Sequence, residues 1–127
     1  MELNPVFTPA YVNLADFHRS MGDEAQAEKV LRQAVTMTPS SGAVHHALGL
    51  SLVRQQRTAE AVKEMKQAAT LAPDNARYTY VYAVALNSTG NTEQAIRVLQ
   101  GALKRFPNNT DIMSALVALV HMFYYEM

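Results

Sequence analysis

The sequence predicts an all-α fold: a solenoid of three 34-residue helix-turn-helix units followed by one further helix. Three observations predict it. Four of the five prolines (Pro5, Pro39, Pro73 and Pro107) lie 34 residues apart. Shifted by that period, residues 8–41, 42–75 and 76–109 align without a gap. Within each block the apolar residues recur at helical spacing: Tyr11, Leu14, Ala15 and His18 fall at i, i+3, i+4 and i+7, as do Ala27, Val30, Leu31 and Ala34. A period of about 20–50 residues marks a repeat array, in which each unit buries its apolar face only against its neighbours.

Taken in order, the pattern predicts helices over 9–21, 24–37, 43–55, 58–71, 76–89, 92–105 and 110–125, and no strands. Thr8 before Pro9 reads as an N-cap with proline at the first helical position. Ser41 and Asn75 are N-cap types, and Asn91 with Gln94 has the spacing of a capping box. Gly22 and Gly90 suit the left-handed position that ends a helix, where the second block carries Gln56. Each closing proline lacks an N–H and disfavours helix at the residue before it. Tyr78, Tyr80 and Tyr82 alternate as in a strand, but the repeat places them in the columns of helical segments 11–18 and 45–52. Other columns agree in size. Ala15, Gly49 and Ala83 are small, as are Ala27, Ala61 and Ala95, and Ala34, Ala68 and Ala102; Leu31, Met65 and Leu99 are bulky. Small columns predict close helix crossings, and bulky ones predict knobs between layers.

The 127 residues form one domain, with eleven basic and eleven acidic side chains. That balance, without a basic stripe, argues against a nucleic-acid partner. With no cysteine there is no disulfide, thiolate metal site or cysteine nucleophile. The most apolar segment, 112–125, is shorter than the roughly 20 residues that span a bilayer, so no membrane partner is expected. The start, MELNPVFTPAYVNLADFH, lacks a basic region followed by an apolar run. Read as a whole chain it implies a cytoplasmic protein; read as a piece of a longer one it leaves a periplasmic site open. Adjacent His45 and His46 point about 100° apart on a helix and do not converge on one ion. His18 and His45 occupy packing columns. No phosphate loop, no nucleophile with a helper and no inward carboxylate pair is present, so neither an enzyme nor a cofactor is expected.

A 34-residue helix-turn-helix with small and bulky columns and a closing proline resembles the tetratricopeptide repeat, and the wording of 9–16, 45–55 and 71–90 resembles bacterial modules of that family. The resemblance covers residues 8–109. It departs from the motif at His45 and Thr79 in the first aromatic column, at His18, Leu52 and Leu86 in the second, and at Gln56. Residues 2–5 look like the tail of a preceding repeat, and 110–125 like the first half of a fourth. The resemblance implies a right-handed superhelix whose first helices line a concave face that takes a peptide or protein segment. The inward residues would be Val12, Asp16 and Arg19 from the first repeat, His46, Leu50, Val53 and Arg54 from the second, and Tyr80, Val84 and Asn87 from the third. The variant of the family that clamps an acidic chaperone tail does not fit, because its columns here hold Val12, Asp16, Ala47, Arg77 and Val81.

Two other roles compete with an interaction scaffold: a non-catalytic module of a larger protein, and an assembly element working by self-association. For the second, Ile112, Leu116, Leu119 and Phe123 are expected to form an open apolar stripe that supports a homodimer. This assumes that Met113, Val117 and Val120 pack on the third repeat, and that each first helix turns the Ile112 column toward its own second helix.

Overall fold

The computed structural model describes residues 8–125. It contains α1 (Thr8–Ser20), α2 (Glu24–Met37), α3 (Gly42–Arg54), α4 (Thr58–Leu71), α5 (Ala76–Ser88), α6 (Thr92–Arg105) and α7 (Thr110–Tyr125), with no strand among the described residues. Every observed boundary lies within one residue of the sequence expectation. Consecutive helices pack on one another from α1 to α7, giving an all-helical repeat solenoid. The proposed tail of a preceding repeat lies outside the described residues. None of the described helices is long and apolar enough to cross a membrane.

The turns show why the helices stop where they do. Gly22, Gln56 and Gly90 adopt φ of 80°, 61° and 87°. Around each, two reversed bonds close the helix: Gly22 N–H donates to Arg19 O and Asp23 N–H to His18 O, both at 2.9 Å, and the same pair recurs at Gln56–Arg57 and Gly90–Asn91. The second helices instead end at Thr38, Ala72 and Phe106, each directly before a proline. Side-chain caps form at Asp23, Ser41, Asn75 and Asn109, whose oxygens accept from Gln26, Val44, Tyr78 and Ile112 N–H at 3.0–3.3 Å. The expected capping box at Asn91 does not form: its side chain makes no cap bond and donates to Thr89 Oγ1 at 3.0 Å instead. The helix α1 begins at Thr8, one residue before the expected start.

The small columns are the floor of the core. Ala27, Ala61 and Ala95 are fully buried, as are Ala34, Ala68 and Ala102, between Leu31, Met65 and Leu99. At Gly49 a Cβ would lie 2.9 Å from Met65 Cγ and 3.5 Å from Ala61 O, so the glycine sets how closely α3 approaches its own second helix, α4.

One packing assignment is reversed. The column of Val44, Ser51 and Gln55 does not face α4. It faces the preceding second helix, α2, where Ser51 donates to Glu24 and Gln55 to Glu28. By the same register Ile112 is completely buried, and Leu116 and Leu119 pack against the core. Phe123 is only partly exposed. The stripe expected to be open is therefore the docked one. Met113 and Val117, expected to be docked, are 43% and 61% exposed.

Candidate functional site

The first helices place one turn after another along one face, and the predicted groove residues gather there in two recesses. The larger, about 250 Å³, is lined by Val12 and Asp16 of α1, Leu31 of α2, and His46, Leu50 and Arg54 of α3, with Tyr78 of α5. The smaller, about 100 Å³, is lined by Val84 and Asn87 of α5, Leu99 of α6, and Ala115, Ala118 and Leu119 of α7. Leu31 and Leu99 occupy equivalent columns, so each recess has a second-helix leucine as its floor. Arg19, Val53 and Tyr80 line neither recess; Arg19 lies beside Asp16 at 3.8 Å, and Val53 is exposed.

The charges in the larger recess are mostly answered internally. Arg54 holds Glu24 through two bonds of 3.1 Å, and Ser51 donates to the same carboxylate at 2.6 Å. Burial alone would raise the Glu24 pKa, but the hydrogen bonds from Arg54 and Ser51 and the charges of Arg54 and Arg19 hold it below the usual carboxylate value. Arg54 thus enters the recess neutralised, and its fork is already committed.

His46 is the other polar element. Its ring stacks on Tyr78 with centroids 4.5 Å apart. Burial pushes its pKa down, and the charge of Arg77 adds to this, so the ring is neutral at pH 7. Its Nδ1 is buried without a hydrogen-bond partner among the described residues. Tyr78 was absent from the predicted groove. A Cβ at Gly42 would sit 3.2 Å from Ala68 O and Ala72 Cβ but at an ordinary 3.6 Å from the Tyr78 ring, so this glycine serves the approach of α3 to the end of α4.

His45 has a structural role. It is 7% exposed, its Nδ1 lies 2.7 Å from Glu64 Oε2, and its Nε2 lies 2.8 Å from Pro39 O. It ties α3 to α4 and to the preceding proline turn. No cluster of metal-ligating side chains exists among the described residues.

Comparison with known proteins agrees with this architecture. Solved structures with the same fold include an O-GlcNAc transferase of Thermobaculum terrenum (24% identity, TM-score 0.74, 95% of this chain and 24% of that one). The second domain of human RPAP3, solved with the HSP70 peptide SGPTIEEVD, aligns at 14% identity and TM-score 0.78 over 91% of this chain and 98% of its own. The Yersinia enterocolitica type III secretion translocator chaperone SycD aligns at 18% identity and TM-score 0.79 over 99% and 90%. The chain spans about a quarter of the transferase. No curated protein matches the sequence significantly. Tetratricopeptide repeat models match residues 8–41 and 46–110, and the chain belongs to the tetratricopeptide repeat family.

Proposed function

We propose that this protein is a non-catalytic interaction module that binds an extended, non-acidic peptide segment in its concave groove, with one side chain seated in each recess. Membership in the repeat family supports a protein-interaction module in general. The observation that carries the finer reading is the recess floored by Leu31 and walled by Val12, Leu50, His46 and Tyr78. It is a concave, mainly apolar site with a few fixed polar groups, the form that small apolar side chains occupy. Human RPAP3 is similar in fold and is solved with a peptide ending in acidic residues. That ligand does not suit this groove, where Asp16 is exposed, Arg54 is already paired with Glu24 and His46 is neutral. A carboxylate placed there meets the like charge of Asp16, and the Arg54 fork is already taken by Glu24.

The test is selection from a displayed random-peptide library with the full chain. Enriched sequences should carry apolar residues and no acidic terminus. Leu50→Asp and Val84→Asp should each weaken binding of an enriched peptide at least tenfold while helicity stays unchanged. Enrichment of acidic C-termini, or binding untouched by both variants, overturns the reading.

A further inference from the structure

We infer that the recess between α4 and α6 is a second binding site, which takes a small organic carboxylate. It is independent of the peptide groove, with which it shares no residue. The recess holds about 370 Å³, within the range of small-ligand sites. Thr79 and Tyr82 of α5 form its buried floor, and Arg97, Gly101 and Arg105 of α6 form one wall. Both walls and the floor belong to the second and third repeats, which are complete.

One repeat earlier the same place is filled. There His45 is buried, with Nδ1 2.7 Å from Glu64 Oε2 and Nε2 2.8 Å from Pro39 O. Thirty-four residues on, these three positions hold Thr79, Val98 and Pro73. Threonine is shorter than the imidazole, and valine offers no acceptor. Thr79 is 2% exposed, and its Oγ1 is buried without a hydrogen-bond partner among the described residues. A buried hydroxyl of this kind is ordinarily answered. Pro73 O is taken instead by Arg105, whose Nη1 donates to it at 3.1 Å; the second repeat has Leu71 in that column. Gly101 widens the opening, where the other two repeats carry Gln33 and Gln67. Nothing lies within 4 Å of a Cβ built on Gly101, and its φ is not positive. Neither a turn nor close packing requires glycine there, and glycine inside a helix weakens it. Its effect is to clear the wall between the two arginines.

The charge of the recess selects the ligand. None of the lining residues is acidic. Burial raises the Tyr82 pKa, so the phenol is neutral at pH 7. Arg97 is paired with Glu93 at 3.1 Å. Arg105 forms no ion pair among the described residues; its one hydrogen bond goes to a neutral carbonyl. One uncompensated guanidinium suits a monoanion, and a planar carboxylate matches its fork. Ala69, Pro73 and Val98 offer apolar contact to the rest of such a molecule.

The probe is benzoate, titrated into the full chain and followed by amide chemical shifts. Saturable shifts should gather at Ala69, Thr79, Gly101 and Arg105. Benzamide, with the same ring and no charge, should leave them unmoved. Gly101→Gln and Arg105→Leu should each weaken benzoate binding at least tenfold with an unchanged helical spectrum. Both variants install side chains that this fold already carries one repeat earlier, at Gln67 and Leu71. Equal shifts from inorganic phosphate would make the recess a general anion trap, and tighter binding of a peptide ending in phenylalanine would make it a site for a partner's chain end. Either result overturns the proposal, as do absence of saturable shifts in the recess and benzoate binding untouched by both variants.

Discussion

At the junction of α2 and α3, Glu24 and Glu28 collect five donors from across the boundary. Glu24 takes Ser51 and both ends of the Arg54 fork; Glu28 takes Gln55 at 3.1 Å and Arg57 at 2.7 Å, with Arg32 of its own helix on the other oxygen. Arg57 also reaches Glu60, which joins α4 to the network. At the junction of α4 and α5, one repeat later, the same columns hold Thr58 and Val62 facing Ala85, Ser88, Thr89 and Asn91. Ala85 is 5% exposed, and no ion pair among the described residues crosses that boundary. At α6 and α7 the columns are Thr92, Ile96, Leu119, Met122 and Phe123. One backbone arrangement therefore carries a junction held by charged hydrogen bonds at one end and junctions held by apolar contact farther along. The first depends on charge state and salt, the others on buried area.

Breaking that difference gives the largest expected effect. Glu24→Ala combined with Glu28→Ala leaves Arg54, Gln55 and Arg57 without their acceptors. It should cost roughly 1–3 kcal/mol in urea denaturation, a figure kept low because the network is partly solvent-screened. The equivalent double change at the second junction, Thr58→Ala with Val62→Ala, should cost less and show no dependence on salt.

Acid sharpens the comparison. Although burial alone would raise both carboxylates, their donors hold Glu24 and Glu28 below the usual 4.5 in the folded chain. The unfolded chain therefore takes up these protons first. The stabilisation is complete above pH 4.5 and is lost as pH falls through the lower folded values. Hydrogen exchange at acid pH should show α1 and α2 losing protection before α5 and α6; simultaneous loss would remove the distinction. His46 acts in the same direction but from higher pH. Its folded pKa lies below 6.5, so stability begins to fall once the unfolded ring is protonated.

The smallest effect separates side chains from backbone. Gln56 sits at φ 61° beside Arg57. Gln56→Gly should relieve the left-handed strain and raise stability by roughly 0.5–1 kcal/mol without altering the acid response.

The fold was legible because proline spacing and small columns repeat in every unit and the turn glycine in two of the three, so each copy confirmed the phase of the others. The direction of packing was not legible in the same way. Both stripes of α7 are apolar, and periodicity reports that a column is buried without saying which neighbour buries it. The information lay in the polar members: Ser51 and Gln55 on a buried column need partners, and Glu24 and Glu28 supply them from the preceding helix. Read that way, the Ile112 column belongs to the docked side. Of the groove, Val12, Asp16, His46, Leu50 and Arg54 follow from repeat position alone and meet in one recess. Tyr78 enters it from a different column, with its ring stacked on His46, and position in the repeat carries no trace of that pairing.

The most direct test of the peptide-binding account is an amide chemical-shift map of the full chain titrated with a peptide enriched from the library. The account predicts saturable shifts at Val12, Asp16, His46, Leu50 and Val84, with the outer face of α2 around Ala25, Lys29 and Gln33 unmoved. Shifts centred on that outer face, with the groove silent, would contradict it.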